Sequence, residues 1–160
     1  MERDTKQEVI AAVENFFERE GAKYTPFNER GTARASYGIK SKVGHVEVFF
    51  TAQKDKLLLR SILPLNAGEE DRPKVAEFLL RANYGLKIGG FDFDFDDGEI
   101  SYRVSMYCGK DEFAPPTYEQ IDYLLIVSLM MIDKYGDALL KVLFGMAEPE
   151  DAIEAAESKE

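Results

Sequence analysis

Residues 90–107 read GFDFDFDDGEISYRVSMY, and their alternation decides the fold class. Phe91, Phe93, Phe95, Ile100, Tyr102 and Val104 alternate with polar residues, the period of strands with one buried face. Asp97-Gly98 separates the two runs, and such a pair between alternating hydrophobics marks a hairpin. A two-residue type I′ turn there would set Phe95 opposite Ile100, Phe93 opposite Tyr102 and Phe91 opposite Val104. On the other face it would set Asp92 opposite Arg103 and Asp94 opposite Ser101.

Upstream, three further segments have period two: Ala33 to Ile39, Val46 to Phe50, and Leu57 to Leu63. Their short polar connectors, Ser41 to Gly44 and Gln53 to Lys56, predict an antiparallel meander that Pro64 closes. A helix is expected on either side of the meander. The first runs from Thr5 to Glu20 on a stripe of Val9, Ile10, Val13, Phe16 and Phe17, with Thr5 and Glu8 in the form of a capping box and Gly21 as its end. The second starts near Glu69, carries Val75, Phe78, Leu79 and Ala82, and stops at Gly85. Downstream of the hairpin, Thr117 and Gln120 form another capping box that opens a long last helix. Its stripe of Ile121, Leu125, Leu129, Ile132, Leu139 and Leu143 should lie on the sheet. The order helix, three strands, helix, two strands, helix predicts an α+β fold: a single two-layer domain over residues 1–145, with a largely antiparallel sheet covered by helices. Residues 146–160, rich in Ala and Glu, are expected as an acidic tail, frayed or disordered.

The 160 residues are 45 % hydrophobic and 31 % charged, with 30 acidic against 20 basic side chains and a net charge of −10. An acidic surface repels phosphate, so neither nucleic acid nor an anionic membrane is the expected partner. One His and one Cys exclude an intrachain disulfide and a structural zinc site, and a lone thiol suits a reducing cytosol. The start Met-Glu-Arg-Asp-Thr-Lys-Gln-Glu lacks the form of a secretory signal, and the longest apolar run, Tyr123 to Ile132, is half the length of a membrane span. A cytoplasmic protein is expected. The acidity is uneven: the first 64 residues carry +2 and the remainder −12.

No motif brings chemistry with it. Asp92, Asp94, Asp96 and Asp97 resemble a calcium loop, but Asp97 stands where the loop needs Gly, and Arg103 where it needs a bidentate Glu. His45 and Glu47 share a strand face and could form an acid–base pair, yet no nucleophile motif accompanies them. Cys108 has no activating pattern around it. Gly89-Gly90 precedes a strand and not a helix, wrong for a phosphate loop. No catalytic residue, metal or cofactor is assigned.

From Leu59 onward the chain resembles the YbjN family. The residues that carry the resemblance are Leu59-Arg-Ser-Ile-Leu-Pro64, Leu79-Leu80-Arg81-Ala82-Asn83-Tyr84, Gly90-Phe91 to Asp94, and Gly98 to Arg103. The family is described as candidate bacterial sensory transduction regulators and shares the fold of type III secretion chaperones. The resemblance implies an α+β homodimer that binds protein segments and performs no chemistry of its own. Asn83 suits the frayed end of the second helix, by bonding a free carbonyl or by turning left-handed, and Gly98 suits the positive φ of the hairpin turn.

The expected function is a non-enzymatic protein-binding module, chaperone-like or regulatory, that takes partner segments in an apolar groove or along a sheet edge. Phe49, Leu58 and Ile62 fall on the polar sides of their strands and are candidate contacts. Arg34 and Lys40, on or beside the first strand, could meet an acidic peptide or simply keep an edge solvated. In the last helix the side opposite the core stripe is also apolar at Tyr123, Ile126, Val127 and Met130, the candidate dimer interface. Two alternatives stand: a small-molecule sensor or enzyme with a pocket between the last helix and the sheet, lined by Tyr37, Tyr102 and Tyr107, and a dedicated secretion chaperone.

Overall fold

A computed structural model describes residues 3–111 and 113–158. The elements run α1 (Thr5–Glu20), β1 (Thr32–Gly38), β2 (His45–Ala52), β3 (Lys56–Asn66), α2 (Arg72–Tyr84), β4 (Gly90–Phe93), β5 (Glu99–Tyr107), α3 (Tyr118–Leu143) and α4 (Pro149–Glu157). The strands form one antiparallel sheet in the order β1-β2-β3-β5-β4. The alternation read from the sequence sets its inner face: Ala33, Ala35, Val46, Val48, Phe50, Leu57, Leu59, Leu63, Ile100, Tyr102 and Val104 are all buried. Against them pack Val9, Val13, Phe16 and Phe17 of α1, Val75, Phe78 and Leu79 of α2, and Ile121, Leu125, Ile132 and Leu139 of α3. Among the described residues the outer face carries no second layer.

The expected order holds through α3, with three differences of detail. The α1 cap is Asp4, whose carboxylate accepts from the Gln7 N–H at 3.0 Å, while Glu8 pairs with Arg3 at 2.6 Å. The Thr117–Gln120 capping box of α3 forms as expected, with both reciprocal bonds present. At Pro64 the third strand does not stop. It bulges, the register slipping between Ile62 and Asn66, because proline offers no ladder N–H and a bulge accommodates that loss.

The hairpin pairs Phe93 with Ile100 and Phe91 with Tyr102, two residues from the expected register. The loop is longer than two residues because Asp side chains build it: Asp94 accepts from the Asp96 N–H and Asp97 from the Glu99 N–H, both at 2.8 Å. Phe95 is thereby placed in the loop, 60 % exposed. A slip of two preserves parity, so Phe91 and Phe93 still face the core. Gly98 is required twice, by its φ of 78° and by the backbone of Ala67, whose nitrogen would lie 2.8 Å from any Cβ added there.

The expected frayed or disordered tail is instead largely helix. Pro149 opens α4, Glu150 and Asp151 suit the positive end of its dipole, and Ala152 and Ala156 are buried against the rest of the molecule. Glu157 accepts from the Tyr135 hydroxyl at 2.8 Å, and Glu148 pairs with Lys74 at 2.9 Å. What docks the helix is mostly alanine, which leaves little apolar signal in a sequence.

Candidate functional site

The outer face of the sheet is built by register. Arg34, Phe49, Arg60 and Arg103 form one row across β1, β2, β3 and β5. Thr51, Leu58 and Ser105 form the next row, and Glu47, Ile62 and Ser101 the row on the other side. Phe49, Leu58 and Ile62 are half-buried with no layer of described residues above them, so their neighbours' side chains shield them. Arg60 stands among these three and reaches Glu99 at 3.0 Å and Ser101 at 3.2 Å. Arg103 pairs with Asp92 at 2.7 Å, diagonally and not directly opposite. Arg34 is exposed. Of the expected contacts, Arg34, Phe49, Leu58 and Ile62 come together on this face. Lys40 does not: it lies in the β1–β2 turn, which leans on α3.

That turn is fastened by two carboxylates of α3. Asp133 accepts from the Ser41 N–H at 2.8 Å, and Asp137 accepts from the Ser41 hydroxyl at 2.9 Å and the Lys42 N–H at 2.8 Å. Gly136 makes the approach feasible, since a Cβ there would sit 3.0 Å from the Ser41 Cβ. One wall of a groove of about 890 Å³ is formed this way. Its other wall is α4 with the preceding loop, giving Met146, Ala147, Ala152 and Ala155, and its floor is the outer side of α3 at Met130, Met131 and Ala138. The same side of α3 continues to Ile126 and Tyr123. Tyr123, Ile126 and Met130 are 54, 44 and 58 % exposed, and Val127 is half-buried.

The two sheet edges differ. Outside β4, the Asn83 side chain takes the place of a neighbouring strand: its Oδ1 accepts from the Phe91 N–H at 2.7 Å and its Nδ2 donates to the Phe91 carbonyl at 2.9 Å. Asn83 thus guards a sheet edge, and it is neither left-handed nor a carbonyl cap of its own helix. Outside β1, Thr25 exchanges both backbone hydrogen bonds with Arg34, at 2.8 and 3.2 Å. Outward-pointing groups recur every second residue, so those of Ser36 and Gly38 follow, and among the described residues no backbone bond closes them.

The remaining candidates are dispersed. His45 is exposed at the start of β2, and Glu47 accepts from the Ser36 hydroxyl at 2.6 Å. Cys108 is buried, and burial pushes its thiol up, away from the reactive thiolate. Of the hairpin's aspartates, Asp92 pairs with Arg103, and Asp94 and Asp97 accept from backbone N–H groups of the turn itself. The three tyrosines expected around one pocket lie apart. Tyr102 is in the core, its hydroxyl donating to the Ile88 carbonyl. Tyr37 sits three strands away, roughly 14 Å across the sheet. Tyr107 is half exposed against Phe113. Among the described residues no helix is long and apolar enough to cross a membrane.

The YbjN family model, described as "Putative bacterial sensory transduction regulator", matches residues 10–141. The chain belongs to the YbjN family. Its fold is similar to the crystal structure of YbjN from E. coli, described as "a putative transcription regulator", at a TM-score of 0.55 and 12 % identity over 94 % of this chain and 93 % of that one. It is also similar to a chain of the HopA1–SchA chaperone–effector complex, at a TM-score of 0.52 and 12 % identity over 91 % and 98 %. Among curated proteins, none matches. The family match ends before α4, so the helix that walls the groove lies outside the matched segment. Sequence reasoning missed the groove because its walls, the β1–β2 turn and α4, are placed by tertiary contacts. The Asp133/Asp137 spacing of four on α3 was the one available signal.

Proposed function

We propose that this YbjN-family chain is a non-enzymatic, cytoplasmic protein-binding module, chaperone-like or regulatory, that acts as a homodimer. The observation that carries the reading is the exposed stripe Tyr123, Ile126 and Met130 on a helix whose other side is core. Large apolar side chains grouped on the surface of an acidic protein mark an interaction surface. Two copies meeting along this stripe, with Val127 at its margin, would bury it. Partner segments would then use the outer sheet face at Phe49, Leu58, Ile62 and Arg34, or extend β1 as an added strand at Ser36 and Gly38. The fold shared with a chain of a chaperone–effector complex supports a partner of protein nature, and a dedicated secretion chaperone is the narrower form of the same reading.

Sedimentation tests the dimer. The wild type should sediment as a dimer at micromolar concentration and Ile126→Asp as a monomer; a wild-type monomer at high micromolar concentration overturns it. Affinity capture from the native cell tests the sheet face. Phe49→Asp with Leu58→Asp should lose captured partners, and unchanged capture rejects that face.

A further inference from the structure

We infer that the cleft between α2 and α3 is a docking site for a partner helix with small side chains one turn apart, and that α4 is its displaceable resident. The inference rests on the protein-binding reading above. α4 itself shows what the cleft accepts. Glu148 pairs with Lys74 near the start of α2, and the Glu157 carboxylate lies 3.8 Å from where a Cβ on Gly85, past the end of α2, would stand. The helix therefore follows α2 in the same direction for about 14 Å. Ala152 and Ala156, one turn apart, are buried, and such small side chains let helix axes approach closely. Glu157, next in sequence, accepts from the Tyr135 hydroxyl at 2.8 Å. Tyr135 is 2 % exposed and stands edge-on to Phe78 and Phe91 at 6.3 and 5.9 Å, so its hydroxyl is a polar point in an aromatic wall. The pattern that fits is Ala-x-x-x-Ala-Glu.

The resident is lightly held. At nine residues α4 is shorter than the about 12–15 that an isolated helix needs in water, so its helical form depends on the cleft. It gives that cleft two alanines and Pro149, with Ile153 half-buried. Both partners of its ion pair with Lys74 are more than half exposed, and exposed pairs contribute little. The connector adds no anchor. Gly145 ends α3 at a φ of 71°, and Phe144 and Met146 on either side of it are 67 and 74 % exposed. The family match closes at residue 141, before this segment begins. Departure of α4 bares the Tyr135 hydroxyl and the ring behind it, and a partner helix that brings its own carboxylate covers both again. A tether this short holds α4 at an effective concentration of order millimolar, so an incoming helix competes with α4 and does not find an empty site.

The test uses the full chain and a fluorescent peptide of residues 146–158, the resident helix offered in trans. In the wild type, amides of Ala152 to Glu157 should exchange at least about tenfold faster than those of Ile132 and Leu139. Ala156→Asp in the full chain sets a carboxylate in the cleft and should free α4, so that anisotropy gives peptide binding about tenfold or more tighter than in the wild type. That gain should match the exchange protection of α4, since both report how rarely the wild-type cleft stands open. Should circular dichroism show Ala156→Asp unfolded, Glu148→Lys makes the same comparison from the surface, with a smaller gain. A peptide with Ala152→Asp and Ala156→Asp should not bind, and one with Glu157→Gln should bind several-fold more weakly. Exchange of α4 only with global unfolding, or peptide binding that is absent or equal in the wild type and the released variants, overturns the inference. So does a sedimentation dimer that Ala156→Asp abolishes, since α4 then docks on a second copy. If native partners are still captured as above while a released cleft takes no peptide, the cleft assignment falls alone. If both fail, the protein-binding reading falls with it.

Discussion

Replacing Asn83 by Ala tests whether one side chain secures the β4 edge. The substitution removes two hydrogen bonds, 2.7 Å to the Phe91 N–H and 2.9 Å to its carbonyl, and leaves both groups partly buried. Each bond contributes about 0.5–1.5 kcal/mol net, so the loss should be about 2 kcal/mol. It could be larger still if β4 loosens, because Phe91 packs edge-on against Tyr102 at 5.1 Å and Tyr135 at 5.9 Å. With a urea slope of about 2 kcal/mol per molar, the unfolding midpoint should fall by about 1 M with the slope unchanged. Amide exchange at Phe91 should accelerate while that of Val104 stays slow. Asn83→Asp keeps an acceptor for the N–H but sets a carboxylate against the Phe91 carbonyl. It should be at least as damaging at neutral pH and recover partly below about pH 4, where the protonated acid can donate. If both variants lie within about 0.5 kcal/mol of the wild type, or the Asp variant is stabilised at neutral pH, Asn83 does not act as a strand surrogate.

Three further outcomes follow from the same geometry. Gly98→Ala should cost roughly 2 kcal/mol or more in chemical denaturation, since the residue has positive φ and no room beside Ala67. Ser61→Ala should hold or raise the melting temperature, by up to about 1 kcal/mol of stability, because the Ser61 hydroxyl is buried without a hydrogen-bond partner among the described residues. Burial pushes the Tyr102 hydroxyl up to about 12, and burial followed by the bond to Glu157 raises Tyr135 as well. Both hydroxyls are thus held neutral in the folded state, and their contribution is complete below pH ~10, where unfolded tyrosine begins to ionise. It is lost as pH climbs from ~10 to ~12, about 2–3 kcal/mol for Tyr102. Urea titrations followed across that range should slope downward, less steeply in Tyr102→Phe.

Periodicity carried the fold as far as periodicity reaches. The stripes of α1, α2 and α3 and the alternation of β1, β2, β3 and β5 set which side chains are buried, and burial follows them almost residue for residue. What escaped depends on contacts between elements. The Asp94 and Asp97 side chains chose a longer turn than Asp-Gly suggests, and α4 is held by alanines and one tyrosine hydroxyl. Of the candidate site, Phe49, Leu58 and Ile62 were legible as apolar residues at polar positions. Lys40 was misplaced, because its turn follows Asp133 and Asp137, about ninety residues away.

The strand order also shapes how the chain assembles. β1, β2 and β3 are neighbours in sequence, as are β4 and β5, and a single seam between β3 and β5 joins the two groups. During synthesis β3 is finished at Asn66, but its partner is complete only at Tyr107, 41 residues later. At roughly 5–20 residues per second that interval is several seconds, with Leu57 and Leu59 lying along an unpaired edge. The nascent meander therefore carries an unpaired strand edge through that interval, and a chain split in the Ala67–Asp71 connector should yield two fragments that find each other through that seam.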